Sequence, residues 1–397
     1  MAKQLKPVLD EIAGAEKDFT IYGDYIGSRR FYPNTDKVLR TGGKGMELYE
    51  DLMRDPQVRA CMQSRRLAVI GKEWEVVPAG EDPLSLEIAG FVKDVLYGFD
   101  FDSARYALLS GIVLGFKLCE VVWEYSEGQV WIKELVGRSS RRFVFDSRGN
   151  PRLLTPKNMV EGEELPGRKF QFFRYGAENG SPYGEGLGTT LYWPAWFKKN
   201  AIKFWMIFAE KFGSPTVIGK YPPGTPKEHQ DSLLSALEAI QQESAIKVPE
   251  TMQIELLDAQ RSGTVNTYKD LCAFMNAEIA KTILGQTLTT EIGNSGSYAA
   301  SKTHNEVRRD YVKADADLLA HSLNGQLVRW IVDFNYPGAA MHPKLYPKLW
   351  IRCKEEADLM PLAQRDEILA RMGLPISKKY FYETYGIPEP APGEAIL

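Results

Sequence analysis

The chain has 397 residues, 44% hydrophobic and 25% charged, with 49 Lys and Arg against 52 Asp and Glu and a formal net charge of −3. These are the proportions of an ordinary soluble protein with core enough for two or three domains, and they exclude the strongly basic domain of a sequence-reading DNA binder. The four cysteines, Cys61, Cys119, Cys272 and Cys353, form no CxxC pair, which argues against a disulfide framework or a zinc ribbon and suits a reducing compartment.

Residues 1–45 are mixed and polar and end on the hinge-like "RTGGKG" (40–45), an extended arm rather than a domain. They contain no apolar h-region, which argues against secretion. A helix from residue 46 breaks near Asp55-Pro56, a second runs to about Ile70, and Trp74–Val77 read as a strand. Residues 85–97 and 102–115 read as helices. After Gly115 the period changes to two in "KLCEVVWEYSEGQVWIKELV", which predicts a hairpin turning at Ser126-Glu127-Gly128. "RRFVFDSRGNPRLL" repeats the pattern around Arg148-Gly149-Asn150. The first third is therefore a domain of helices and antiparallel sheet.

The glycines of "YGEGLGTTLYW" (183–193) have GxGxG spacing. A dinucleotide fingerprint needs GxGxxG after a strand and an acidic residue about 20 positions on; here a long aromatic helix follows. A turn with unusual dihedrals is the better reading. The helix over about 190–212 carries Trp193, Trp196, Phe197, Phe204, Trp205, Phe208 and Phe212. It is apolar on too many faces for a solvent-facing helix of a monomer. Its four lysines exclude a membrane span, which requires about 20 nearly uncharged residues.

Beyond it, "PTVIGKY" predicts a strand, "YPPGTP" a turn, "KEHQDSLLSALEAIQQE" an amphipathic helix, and "SAIKVP" and "MQIELLDA" two further strands, with "RSGT" (261–264) closing the module. The chain re-enters a helix over about 266–284. A small α/β insert between two long helices is a stalk with a tip. "LGQTLTTEIGNSGSYAASKTHNEVRRDY" (284–311) then interrupts two good helices with Thr, Gly, Asn and Ser. A helix or helix pair over about 302–334 ends at "NYPG", and the segment from Lys354 is helical and charged before the tail "YGIPEPAPGEAIL".

No GxxxxGK[ST], GxSxG or HExxH occurs, which argues against the chemistries those motifs carry. His229, His304, His321 and His342 are scattered and read as surface or core residues rather than ligands. Glu306, Asp310, Asp315 and Asp317 interleave with Arg308, Arg309 and Lys313. A two-metal nuclease needs such carboxylates to converge; on a helix, alternating charge reads as a solvated, salt-bridged face. No catalytic site, metal or cofactor is expected, and the profile fits a structural or assembly role better than an enzyme.

The stretches "DPQVRACMQSRRLAVIGKEWEVVPA", "GFKLCEVVWEY", "SPYGEGLGTTLYW", "AEKFGSPTVIGKYPPGT" and above all "ILGQTLTTEIGNSGSYAASKTHNEVRRDYVKADADLL" resemble, taken together, the portal proteins of Mu-like tailed phages and prophages. The resemblance runs from about Asp55 to about Asn335. It implies an α+β, portal-type ring subunit with an α/β wing, a long helical stem, a small α/β clip, a tunnel loop and a helical C-terminal region. On this chain those parts fall as an N-terminal arm (1–45), wing (46–183 and 302–352), stem helices (184–212 and 264–284), clip (213–263), tunnel loop (285–301) and wing-top or crown (353–397). Relatives often continue with a further C-terminal segment past the "GIPEP" tail. The resemblance also implies a ring, usually of twelve copies, at one capsid vertex of a virion assembled in the host cytoplasm. The large terminase subunit drives double-stranded DNA in through such a ring, and the DNA leaves through it to the tail. A head-completion or adaptor protein and the major capsid and scaffold proteins are the further partners implied; a membrane is not.

Under that resemblance the loop faces passing DNA, with Gln286, Thr287, Thr289, Thr290, Asn294, Ser295, Ser297, Tyr298 and Lys302 as candidate channel residues. Thr, Asn and Ser offer hydrogen bonds without charge, whereas neutralising phosphates would add sequence-independent affinity. Gly285, Gly293 and Gly296 let the loop rearrange. Lys220, Lys227, Glu228, His229 and Asp231, around Pro222-Pro223-Gly224, are candidates for clip docking. Trp196, Trp205 and Phe208 are candidates for the subunit interface; Trp196 and Trp205 lie about 180° apart on a helix, so that one faces the chain's own core and the other a neighbour. A plain connector and an ordinary surface hairpin stand beside the loop and clip readings. Beside the conduit stand two alternatives: a metal-dependent nuclease on the 306–317 carboxylates, or another unrecognised enzyme, and a ring-forming scaffold without DNA passage.

Overall fold

The computed structural model describes residues 32–41, 45–177, 180–212, 216–242, 253–257, 262–286, 298–339, 342–353 and 359–390. The chain divides into two units, residues 1–352 and 353–397. The first begins with α1 (Lys37–Thr41), α2 (Glu47–Leu52), α3 (Pro56–Ile70), β1 (Trp74–Val77), α4 (Pro83–Tyr97), α5 (Phe101–Leu108) and α6 (Gly111–Leu114). The break at Asp55-Pro56 is a helix start. The Asp55 carboxylate accepts from the amides of Gln57 (2.9 Å) and Val58 (3.1 Å), and Pro56 opens α3 where its missing amide is no loss. Asp82-Pro83 repeats the device at α4, Asp82 accepting from the Ser85 amide at 2.9 Å. Residues 102–115, expected as one helix, divide into α5 and α6 at Leu109-Ser110; there the Ser110 hydroxyl donates back to the Ala107 carbonyl (2.7 Å), a local bond that competes with the helix ladder.

The alternation after Gly115 builds the main sheet. β2 (Phe116–Ser126) and β3 (Gln129–Gly137) form the expected hairpin. Glu127 (φ 53) and Gly128 (φ 81) occupy the left-handed region that a two-residue turn of the primed kind requires. β4 (Phe143–Phe145), β5 (Pro151–Thr155) and β6 (Asn158–Glu164) make a second sheet, and β7 (Phe170–Arg174) joins the first in the order β3–β2–β7. Tyr32, Phe116, Leu118, Phe143 and Phe145 form one buried cluster, with the rings of Phe116 and Phe145 edge-on at 5.1 Å. Tyr32 lies in the expected arm, yet it is buried and its amide donates to the Phe145 carbonyl at 2.7 Å. The described end of the arm is thus part of the core.

Two long helices follow, α7 (Gly188–Phe212) and α9 (Ser262–Leu284). Phe208 meets Tyr268 with ring centroids 6.1 Å apart, while Lys198 meets Asn276 at 2.8 Å, so the pair is antiparallel. Between them in sequence are β8 (Thr216–Lys220), α8 (Lys227–Gln242) and β9 (Gln253–Leu257). β8 pairs antiparallel with β9, from Thr216 opposite Leu257 to Lys220 opposite Gln253. The strand expected at 244–249 lies outside the described residues. Among the described residues no helix is long and apolar enough to cross a membrane.

α10 (Tyr298–Leu323), a π-helical turn (Asn324–Val328) and α11 (Arg329–Asn335) follow one another directly, and β10 (Lys348–Ile351) returns to pair with β1, Trp74 opposite Ile351. Three amide side chains clasp this helical run to strands. Asn324 donates to the Leu349 carbonyl (2.9 Å) and accepts from its amide (2.7 Å). Gln326 does the same with Phe172 of β7 (2.8 and 2.9 Å), and Asn335 with Val130 of β3 (3.0 and 2.7 Å). Each copies the two-point bond between paired antiparallel residues. Gln171, fully buried, donates to the Ser322 carbonyl (3.2 Å) and hydroxyl (2.9 Å) and accepts from the Leu327 amide (3.1 Å). It satisfies backbone groups beside the π turn, where the α-helical ladder is interrupted.

The second unit holds α12 (Leu359–Arg371) and α13 (Lys378–Tyr385). Its polar centre is Asp366, buried and accepting from Tyr385 Oη and Arg365 Nη2, each at 2.8 Å. Ser377 caps α13 through the Tyr380 amide (3.2 Å).

Candidate functional site

The two helices that bracket the polar loop are fastened at its base by one arginine. Arg65, on α3, is 3% exposed. Its Nε and Nη2 donate to the two carboxylate oxygens of Asp315 on α10 (2.6 and 2.9 Å), its Nη1 to the Ile283 carbonyl in the last turn of α9 (2.7 Å), and its Nη2 also to the Tyr175 hydroxyl (3.1 Å). The guanidinium lies 4.7 Å from the centre of the Tyr311 ring. Burial works against the Arg65 charge, but the Asp315 carboxylate outweighs it and holds the pKa above the ordinary arginine value. A planar fork is needed to meet a carboxylate twice and a helix-end carbonyl once.

The loop leaves α9 through Gly285, whose φ is +70° and where an added Cβ would stand 2.6 Å from the Tyr311 ring. Both facts demand glycine. Gln286, expected to face the channel, departs from that expectation. Immediately after this turn its side chain is 3% exposed, and among the described residues neither of its amide atoms has a hydrogen-bond partner. Thr287, Thr289, Thr290, Asn294, Ser295 and Ser297 lie outside the described residues, while Tyr298 and Lys302 fall on the first turns of α10. Sequence reasoning missed Arg65 and placed Asp315 on a solvated face, whereas Asp315 is 1% exposed and paired with Arg65. The available signal was position: Asp315 shares a helical face with Val312, Ala316 and Leu319, all buried.

A second buried cation joins α7 and α9 to the start of α3. Lys198 of α7 reaches Asp55 (2.7 Å) and Asn276 of α9 (2.8 Å). The nearby Cys61 thiol is pushed up to about 11, by burial first and by Asp55, although Lys198 opposes this. Burial likewise pushes Cys119 up to about 12. Neither is poised as a nucleophile. The glycine-rich turn before α7 is a backbone crossing. A Cβ on Gly184 would meet the carbonyl oxygens of Gly115 and Tyr175 at 2.3 Å, and one on Gly186 the Val113 carbonyl oxygen at 2.3 Å.

α7 leaves Trp193, Trp196, Phe197, Phe204 and Ile207 exposed within an arc of about 100° at 100° per residue. Trp196 also borders a groove of about 580 Å³ with Leu48, Leu52, Pro56, Tyr192 and Ile202. Trp205 is half-buried, and Phe208 is half-buried and stacks on Tyr268 of the same chain. Phe208 thus has a contact within the protomer, and Phe197, Phe204 and Ile207 lie on the outward strip with Trp193 and Trp196. In the α/β insert, Lys220, Lys227, Glu228, His229 and Asp231 are all exposed, around a Pro222–Thr225 turn whose Gly224 has φ +89°.

The 306–317 carboxylates do not converge. Asp315 is committed to Arg65 and Asp317 to Lys313 (2.7 Å), while Glu306 and Asp310 are exposed. Among the described residues no three His, Cys, Asp or Glu side chains gather as a metal site would need.

A family model described as "Portal protein of Mu bacteriophage" matches residues 46–387. The chain is 26% identical over 349 residues to the portal protein of Escherichia phage Mu, covering 87% of this chain and 67% of that one. It is 26% identical over 395 residues to the Mu-like prophage FluMu protein gp29 of Haemophilus influenzae, covering 95% and 74%. Among solved structures, a chain of the virion of a native gene transfer agent particle superposes with a TM-score of 0.57 at 14% identity, over 86% of this chain and 93% of that one. A chain from the neck of the empty particle gives 0.58 at the same identity and coverage. At that identity the likeness is one of fold.

Proposed function

Since the chain belongs to the family of Mu bacteriophage portal proteins, we propose that its 285–301 loop is where it meets DNA and its outer α7 strip is where its copies meet. As a phage portal protein it serves at the capsid vertex, where portals pass double-stranded DNA. The observation that carries the loop reading is the clamp at its base. One buried arginine grips the end of α9 and the body of α10 together, so a rigid frame presents a span, 287–297, with Glu291 as its one charged side chain. A frame of that kind suits polar, weakly held contact with a moving polyanion, because phosphate neutralisation would retard it.

In this reading α7 and α9 are the stem and the β8–α8–β9 insert is the clip, whose exposed charges dock the terminase during packaging and a head-completion protein afterwards. The ring has twelve copies, is assembled in the host cytoplasm and contacts capsid and scaffold proteins. The exposed α7 strip and the groove beside Trp196 support an apolar contact between neighbouring copies. The test is cryo-electron microscopy of DNA-filled particles, with the purified ring imaged in parallel. Residues 285–301 are expected to be the nearest protein to the DNA in the channel. Another segment lining the narrowest point would overturn the loop assignment. A ring too narrow for duplex would favour a scaffold, and metal-dependent cleavage of plasmid DNA by the purified protein would favour a nuclease.

A further inference from the structure

A cleft of about 220 Å³ opens between α2, α3, α6 and the start of β2, lined by Glu50, Met53, Met62, Arg66, Ser110, Val113, Leu114 and Lys117. It shares no lining residue with the α7 groove. Met53, Met62, Val113 and Leu114 make its walls apolar. Two cations stand in it. Arg66 is 9% exposed; its Nη2 donates to the Tyr106 carbonyl and its guanidinium lies 3.5 Å from the Tyr106 ring centre, but its Nε has no partner. Lys117 shares a face of β2 with Cys119 and Val121, both buried, and among the described residues its ammonium makes no hydrogen bond or ion pair.

Among the described residues neither cation forms an ion pair, although Glu50 acts on Lys117 across the cleft. The one acid of the lining, Glu50, accepts from the Ser139 hydroxyl at 3.1 Å and pairs with Arg141 at 3.6 Å. The Ser110 proton is given to the Ala107 carbonyl. Burial lowers the pKa of both cations; at Lys117, Cys119 and Glu50 oppose it and Arg66 adds to it. Charges withdrawn from water are ordinarily paired, because an unpaired one is costly. Two positive charges and the Glu50 carboxylate leave this apolar-walled lining with a net charge of +1 (2 − 1), which a small oxyanion offsets. The volume is below the range of about 300–1,000 Å³ typical of drug-sized ligands, which excludes a nucleotide.

We propose that this cleft binds a small tetrahedral oxyanion of the phosphate class between the guanidinium of Arg66 and the ammonium of Lys117. The site is separate from the DNA-facing loop and does not depend on it. The test is thermal unfolding of the full chain, and of Lys117→Met and Arg66→Gln, in sodium phosphate against sodium chloride and sodium acetate at equal ionic strength. A short DNA duplex at equal phosphate-group concentration forms a further arm. Phosphate is expected to raise the wild-type Tm saturably, with little effect of chloride, acetate or duplex. Lys117→Met is expected to melt at or above the wild type without phosphate, since a half-buried charge with no ion pair is removed, and to bind phosphate at least tenfold more weakly. Should Arg66→Gln fail to fold, Lys117→Met decides alone. Equal shifts with chloride or acetate, a phosphate response undiminished in Lys117→Met, or a response to duplex with none to inorganic phosphate would each overturn the proposal.

Discussion

At the base of the 285–301 loop a charged pair is withdrawn from water, whereas along α7 seven large apolar side chains are left in it, five of them on one strip. Arg65 and Asp315 satisfy one another and the backbone entirely within the protomer. Trp193, Trp196, Phe197, Phe204 and Ile207 have no such cover. The difference separates two kinds of surface in one molecule: the frame of the loop is complete in a single copy, while the outer strip of α7 is uncovered in a single copy. Substitutions at the first site should therefore be read in the protomer and those at the second in the assembly.

The largest effect is expected at the clamp. Arg65→Met strands a buried carboxylate, and breaking such a pair costs about 3–5 kcal/mol. The midpoint of chemical denaturation should fall accordingly, and Arg65→Met with Asp315→Leu should recover most of the loss. A single variant as stable as the wild type would show that the pair does not hold the frame. Trp196→Ala should do the converse. Protomer stability should change by no more than about 0.5 kcal/mol, while each contact between copies weakens by about 2–4 kcal/mol, seen as ring dissociation in sedimentation. Intact rings at micromolar protein would remove Trp196 from the interface.

Smaller effects test the loop itself. Gly285→Ala is expected to cost about 1–3 kcal/mol in the protomer, because it strains the +70° φ and drives a methyl into Tyr311. An unchanged melting curve would mean that α9 ends differently in solution. Thr290→Lys should leave both stabilities within about 0.5 kcal/mol yet slow DNA packaging, and added salt should relieve the slowing because counterion release drives the attraction. Packaging at the wild-type rate at low salt would place the loop away from DNA.

Legibility in the sequence followed the range of the interactions. The helix start at Asp55-Pro56, the strand at Trp74–Val77 and the hairpin turning at Glu127-Gly128 are written in neighbouring residues, and the structure has them where the pattern puts them. The interruption between α9 and α10 was equally visible as a lapse in apolar spacing. Arg65 and Asp315 were not, because they lie 250 positions apart and a charged residue on an apolar face has no periodic signature of its own. β10 was missed for the same reason, since its partner β1 is far away in sequence. β6 was missed because "NMVEGEE" is too polar to alternate, and β7 because Gln171 occupies a core position for the sake of the helical run beyond it.

The three amide clasps on that run have a mechanical meaning. Asn324, Gln326 and Asn335 grip Leu349, Phe172 and Val130, on three strands in two sheets. A slide of one residue, about 1.5 Å along the axis with about 100° of rotation, would undo all three together, and no partial slip preserves any of them. The rod that begins at the loop and carries Asp315 is therefore keyed to the sheets like a shaft in a slotted collar. The Asp315 clamp and the three clasps therefore hold one continuous helical run at four places along its length.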